Sequence, residues 1–160
     1  MQTTPGYTEN ILPMGSLLEN IKRIIYIIII LTIIRQSIFS FLLLYYDYIR
    51  YNDDINLSNY IIDLNKKYPD KQTILVGAYH NNKNVKLKGE TLGHSFASWD
   101  YLGEYGVNNR MISFMNVQKL KPNMASIEVY SSLKDTTSDK YYPNKGCYKT
   151  YDDYIVVYLR

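Results

Sequence analysis

The sequence is poor in the residues that most often carry chemistry. Its 160 residues hold one cysteine, Cys147, and two histidines, His80 and His94. A single thiol closes no intrachain disulfide, so the fold must rest on its core. A zinc site would have to draw on His80, His94 and Cys147, and no CxxC or HExxH spacing joins them. There is no Walker loop, and Gly103 and Gly106 do not make a dinucleotide fingerprint. No nucleophile elbow occurs either. No cofactor or metal is therefore expected. Charge of one sign is scarce as well. Eighteen Lys and Arg against fifteen Asp and Glu leave +3, too little to mark a nucleic-acid binder. Internal repeats are lacking.

What is abundant is Ile, Tyr, Asn and Lys, with thirteen lysines against five arginines. These residues use A/T-rich codons, so many of the eighteen tyrosines reflect the genome rather than a task. The isoleucines are unevenly placed: ten of nineteen lie between Ile21 and Ile38. That concentration excludes both a plain soluble globule and wholesale disorder.

Lys22 and Arg23 precede IIYIIIILTII at 24–34; Arg35, Gln36 and Ser37 follow, then IFSFLLLYY at 38–46. As a helix, residues 24–46 cover about 35 Å, against a hydrocarbon core of about 30 Å. A central Arg costs about 3 kcal/mol on insertion scales, while each Ile, Leu or Phe returns about 0.3–0.6 kcal/mol. The apolar residues outweigh Arg35 and Gln36, so the segment reads as a transmembrane anchor in the lipid bilayer, set at 23–46. A cleaved signal peptide is the competing reading. Its apolar region would be too long, and no small-x-small site follows at Asp47-Tyr48-Ile49-Arg50. Two basic residues before the span against Arg50 after it favour an inside N-terminus and a C-terminal domain outside. The sequon Asn56-Leu57-Ser58 would then face the glycosylating side. Arg35 is either a tolerated residue or a transmembrane partner contact, a buried cation paired with an acid on another membrane helix.

The rest divides into a short, poorly ordered N-terminal tail at 1–22, a juxtamembrane helix at 47–69 and an α+β ectodomain at 70–160. Leu57, Ile61, Leu64 and Tyr68 share one helical face, which should pack on the domain, and Pro69 stops the helix. Beyond it the period changes to two. Strands are expected at 74–79 and 85–88, joined as a hairpin by the turn-rich 80–84, then at 111–117, at 125–130 and at 154–159. The last is apolar on both faces and reads as an interior strand. An antiparallel or mixed β-sheet follows.

Residues 89–109, GETLGHSFASWDYLGEYGVNN, carry four of the eight glycines, the single Trp and one His. Such glycine density implies turns with special dihedrals, and loops of fixed shape often carry function. SFASWDYL could also form a short helix with Phe96, Trp99 and Leu102 inward and Ser95 as cap. His94, Trp99 and Asp100 are the candidate loop-scaffold or partner-contact residues. A hydrolase set could be drawn from Ser95 or Ser98, His94 or His80, and Asp100, but neighbours on one segment rarely point at each other. Tyrosines at 141, 142, 148, 151, 154 and 158, with lysines between them, allow nucleic-acid stacking. They more often serve strand packing or protein contacts.

The layout of one N-terminal anchor and a small C-terminal domain, with TILVGAYH at 73–80 and LGHSFASWDYLGEYGVNNRM at 92–111, resembles the baculovirus and nudivirus 19 kDa protein, the fourth per os infectivity factor. The A/T-rich composition suits nudivirus-like genomes. The resemblance implies a non-enzymatic virion envelope protein, sorted through host intracellular or nuclear membranes. Lys22 and Arg23 resemble the basic flank associated with that sorting. It further implies partners among other membrane proteins of an entry complex, action at the host midgut surface in oral infection, and no catalytic residues. Two alternatives from other classes are a membrane-anchored hydrolase using 94–100 and a cellular membrane-complex assembly subunit.

Residues 24–46 should remain in the mature protein and resist alkaline carbonate extraction. Arg35→Leu should strengthen insertion. N-terminal sequencing that found a start near residue 47 would refute the uncleaved anchor.

Overall fold

The computed structural model describes residues 14–79, 96–97 and 105–159. They fall into two units, divided between Leu42 and Leu43.

The first unit is helical. Helix α1 spans Met14–Lys67, and its residues up to Leu42 belong here. It begins inside the stretch expected to be a disordered tail. Leu17, Leu18 and Ile21 extend the apolar run toward the N-terminus. From Leu17 to Phe41 every large apolar side chain is 44–68 % exposed. A helix of a soluble domain would bury a stripe; this one buries none. Among the described residues it is the one helix long and apolar enough to cross a membrane.

The second unit holds residues 43–67 of α1, strand β1 (Gln72–Val76), helices α2 (Gly106–Val117) and α3 (Ile127–Leu133), and strands β2 (Tyr148–Thr150) and β3 (Tyr154–Tyr158). The sheet is mixed, in order β1-β3-β2, with β1 parallel and β2 antiparallel to β3. The expected interior strand at 154–159 is thus the central one. Its alternation shows why both faces are apolar. Ile155, Val157 and the following Leu159 join Leu75 on one face, under Leu57, Ile61 and Leu64 of α1 and Val107, Met111, Phe114 and Met115 of α2. Val156 and Tyr158 join Ile74 on the other, with Tyr105, Ala125 and Tyr130 of α3. The helix expected at 47–69 does pack its Leu57/Ile61/Leu64 face on the domain. It ends at Lys67 with Lys66 and Lys67 in the last turn, where cations suit the helix dipole, and Pro69 just beyond.

Two expected strands are helices. Residues 111–117 lie in α2, where Val107, Met111, Phe114 and Met115 follow the 3.6-residue period. Residues 125–130 run into α3, where Ser126 sits at the cap position in extended conformation and Glu128 lies in the first turn. The β-branched Ile127 and Val129 imitate a strand, yet Ile127 is exposed and Tyr130 is the buried member. The hairpin through 80–88 lies outside the described residues.

The outer edge of β1 is closed without another strand. Asn108 of α2 accepts the Leu75 N–H at 2.8 Å and donates to the Leu75 carbonyl at 2.9 Å. Around Thr73, the Asn123 carbonyl accepts the Thr73 N–H at 2.8 Å, and the Ala125 N–H donates to the Thr73 carbonyl at 2.9 Å. The edge groups that would otherwise seek a partner are satisfied within the unit.

Gly77 ends β1 at φ +91°, and a Cβ there would lie 2.4 Å from the Leu159 carbonyl oxygen. Leu159 N–H donates to the Val76 carbonyl at 2.8 Å, so the two backbones are drawn together at this point. Both the dihedral and the close approach require glycine. Gly77→Ala should lower stability by about 2–3 kcal/mol, read as a shift in the urea midpoint of the detergent-solubilised chain. An unchanged midpoint would contradict the packing of β1 on the Leu159 backbone.

Candidate functional site

Of the glycine-rich stretch 89–109, the structure describes Phe96, Ala97 and 105–109. The dipeptide 96–97 is held by two charged side chains from different helices. Asp54 of α1, 2 % exposed, accepts the Phe96 N–H at 3.0 Å and the Ala97 N–H at 3.2 Å, one on each carboxylate oxygen. Arg110 of α2, 7 % exposed, donates from Nε to the Phe96 carbonyl at 3.1 Å. The Ala97 carbonyl accepts the Tyr79 N–H at 2.9 Å. Ala97 is buried and the Phe96 ring lies 5.0 Å from that of Phe114. Hydrogen bonds to ionised groups are the stronger kind, so this is a firm anchor point. It fixes backbone in place and offers no nucleophile.

The placement follows from the helices. Asp54 stands three residues before Leu57 and seven before Ile61, on the core face of α1. Arg110 stands beside Val107, Met111 and Phe114 on α2. Sequence reasoning passed over both. The available signal was a charge lying on an apolar helical face, a position seldom occupied without a partner to hold.

A second cluster surrounds Cys147, which is buried. The Tyr60 hydroxyl lies 3.2 Å from its Sγ, and the Tyr142 ring packs against Tyr60 and Tyr79 at centroid distances of 5.4 and 5.2 Å. Burial above all, then the bond to Cys147, pushes the Tyr60 hydroxyl far up. Burial, with Tyr79, Asp53 and Cys147 nearby, pushes Tyr142 up to about 12. Burial followed by Asp53 raises Tyr79 too. Such phenols stay protonated at neutral pH and act as packing groups. At the end of α1, the Lys67 ammonium donates to the Tyr148 hydroxyl at 3.1 Å and lies 5.1 Å from the Tyr68 ring centroid.

The residues expected to matter are placed as follows. Arg35 is exposed in the first unit. Asn56 is exposed on α1, but the Ser58 of its sequon is fully buried, with its hydroxyl donating to the Asp54 carbonyl at 2.8 Å. The tripeptide is therefore locked in a helix, so modification there would have to precede folding. His94, Trp99 and Asp100 lie outside the described residues, as do His80, Ser95 and Ser98. The zinc reading keeps Cys147 alone, bonded to Tyr60. Among the described residues no group of three or more His, Cys, Asp or Glu is placed to hold a metal.

The chain matches no protein-family model, no curated protein and no solved structure.

Asp54→Ala leaves the part-buried Phe96 N–H and the buried Ala97 N–H without their acceptor. Unsatisfied buried donors cost about 1–3 kcal/mol, so stability should fall by about that amount. Amide exchange at Phe96 and Ala97 should accelerate more than exchange in β3. Uniform acceleration throughout the unit would argue against a local anchor.

Alkaline pH tests the tyrosine cluster. The Tyr142 proton is held more tightly in the folded state than at the ordinary value of 10.0. Its contribution is therefore fully present below about pH 10 and lost as pH rises toward 12. Tyr142→Phe keeps the ring and removes the titration. It should flatten the decline of the denaturation midpoint across that window.

Proposed function

We propose that this chain is a single-pass, non-enzymatic virion envelope protein, a subunit of an entry complex of the per os infectivity type that acts in oral infection of insect midgut cells. The observation that carries the reading is the first unit's helix: long, isoleucine-rich and without a buried stripe, it suits a bilayer and not an aqueous core. The C-terminal unit would stand outside the envelope, by the basic flank Lys22-Arg23. Two further points support an assembly role. The stretch 92–111 that carries the resemblance contains Phe96, Ala97 and Arg110, all part of the buried anchor with Asp54. In the motif 73–80, Gly77 is required by backbone approach and Tyr79 donates to Ala97, so these residues have structural work.

A virion lacking the chain should assemble yet lose oral infectivity for midgut cells. The full-length chain in a mild detergent extract should migrate on a sizing column with several other membrane proteins. An isolated monomer with hydrolytic activity, lost in each of Ser95→Ala, His94→Gln and Asp100→Asn at unchanged stability, would instead establish the membrane-anchored hydrolase. Co-migration in a chain of cellular genomic context would point to the assembly subunit.

A further inference from the structure

Arg35 is not an isolated polar residue. On α1, successive residues advance by about 100°, so Thr32, Gln36 and Ser40, at i, i+4 and i+8, form a line along one side. Arg35 lies between that line and the apolar side, about 60° from Thr32 and about 60° from Ile38. The opposite side is Ile27, Ile30, Ile34, Ile38 and Phe41. The Thr32 hydroxyl is satisfied within the helix, donating to the Ile28 carbonyl at 2.8 Å. Arg35 and Gln36 make no ion pair or hydrogen bond among the described residues, and with Ile38, Phe39 and Leu42 they line a shallow groove.

We propose that this groove, with Arg35 on its wall, is the docking surface for a second membrane helix that carries a Glu or Asp at mid-bilayer depth, opposite Arg35. The inference rests on the anchor reading of α1 and names what meets it in the membrane. Three alternatives fit less well. Arg35 is eleven residues from either end of 24–46, about 16 Å along the axis, beyond easy reach of lipid headgroups. The nearest acids flanking it along α1, Glu19 and Asp47, lie about 24 and 18 Å away along the same axis. A second copy of this chain crossing at this groove would set Arg35 beside Arg35, a like-charge contact in a medium of low dielectric. A carboxylate on a different helix satisfies the guanidinium with paired hydrogen bonds, and Gln36, which lines the same groove, supplies a further polar contact.

The test reconstitutes the full-length chain, labelled for energy transfer, in phosphatidylcholine vesicles with synthetic apolar membrane helices. One probe helix carries a single Glu at its midpoint, a second has Leu there, and a third has Arg. The Glu probe should associate at least ten-fold more tightly than the Leu probe. Arg35→Leu should abolish that difference, Gln36→Leu should reduce it, and Arg35→Glu should transfer the preference to the Arg probe. Equal association of the Glu and Leu probes, or a Glu preference that survives Arg35→Leu, would overturn the proposal. So would self-association that excludes the Glu probe. Alkaline carbonate extraction of the same vesicles separates the two levels. Release of the chain would overturn the anchor reading together with this one, whereas retention without Glu preference would overturn this inference alone.

Discussion

The C-terminal unit depends on β3 having no free side. Strands flank it on both edges and helices cover both faces, so each of its backbone groups must be met by protein, not water. That requirement propagates outward. β1 lies parallel to it and, as an end strand of the sheet, has an outer edge of its own. That edge is closed by the Asn108 amide and by residues 123–125. Asn108 belongs to α2, whose Met111 and Met115 fill one face; residues 123–125 lead into α3, whose Tyr130 fills the other. The helices are thus placed by hydrogen-bond closure as much as by apolar burial. Asn108 is fully buried because a residue with both a donor and an acceptor can replace the missing strand.

The first unit obeys the opposite constraint. Among the described residues, none of the apolar side chains from Leu17 to Phe41 finds a packed position, so the free energy available from burying them is not realised there. Codon bias explains the supply of isoleucine but not its position, because ten of the nineteen would not gather at 21–38 by composition alone. The tyrosines tell a related story. Their number reads as genomic, yet Tyr60, Tyr79 and Tyr142 form one packed cluster and Tyr105 and Tyr130 another, with rings 5.6 Å apart. A biased supply has been fitted into the core.

What was legible in the sequence was whatever a single period determines. The Leu57/Ile61/Leu64 face and the doubly apolar 154–159 each follow from one uninterrupted pattern, and the membrane-length helix from an apolar run broken only at Arg35-Gln36-Ser37. What was illegible required a choice between periods in a short window. MISFMNV is apolar at five of seven positions and β-branched at two, which favours a strand; yet Met111, Phe114 and Met115 stand at i, i+3 and i+4, and Val107 upstream extends that helical face. Ala125, Ile127 and Val129 misled for the same reason, with β-branched residues on a short helix whose start is marked by Ser126. The buried anchor was harder still. Asp54 and Arg110 are far apart in the chain, and no local rule links either to residues 96–97. Charge on an apolar face was the only trace.

That trace bears on why charge is used there at all. Fixing the backbone at residues 96–97 costs conformational entropy, and Ala97 brings little apolar surface of its own to offset it. Apolar packing at one point, through Ala97 and Phe96, would position the segment but leave its backbone free to rotate. A carboxylate that takes two successive N–H groups, with a guanidinium on the intervening carbonyl, fixes direction as well as position. The cost is desolvation of two charged groups, which a neutral pair of the same shape would avoid. Ionised groups are justified where orientation matters more than net stability. The contacts of Asp54 and Arg110 therefore set the direction of the backbone at residues 96–97, and not its attachment alone.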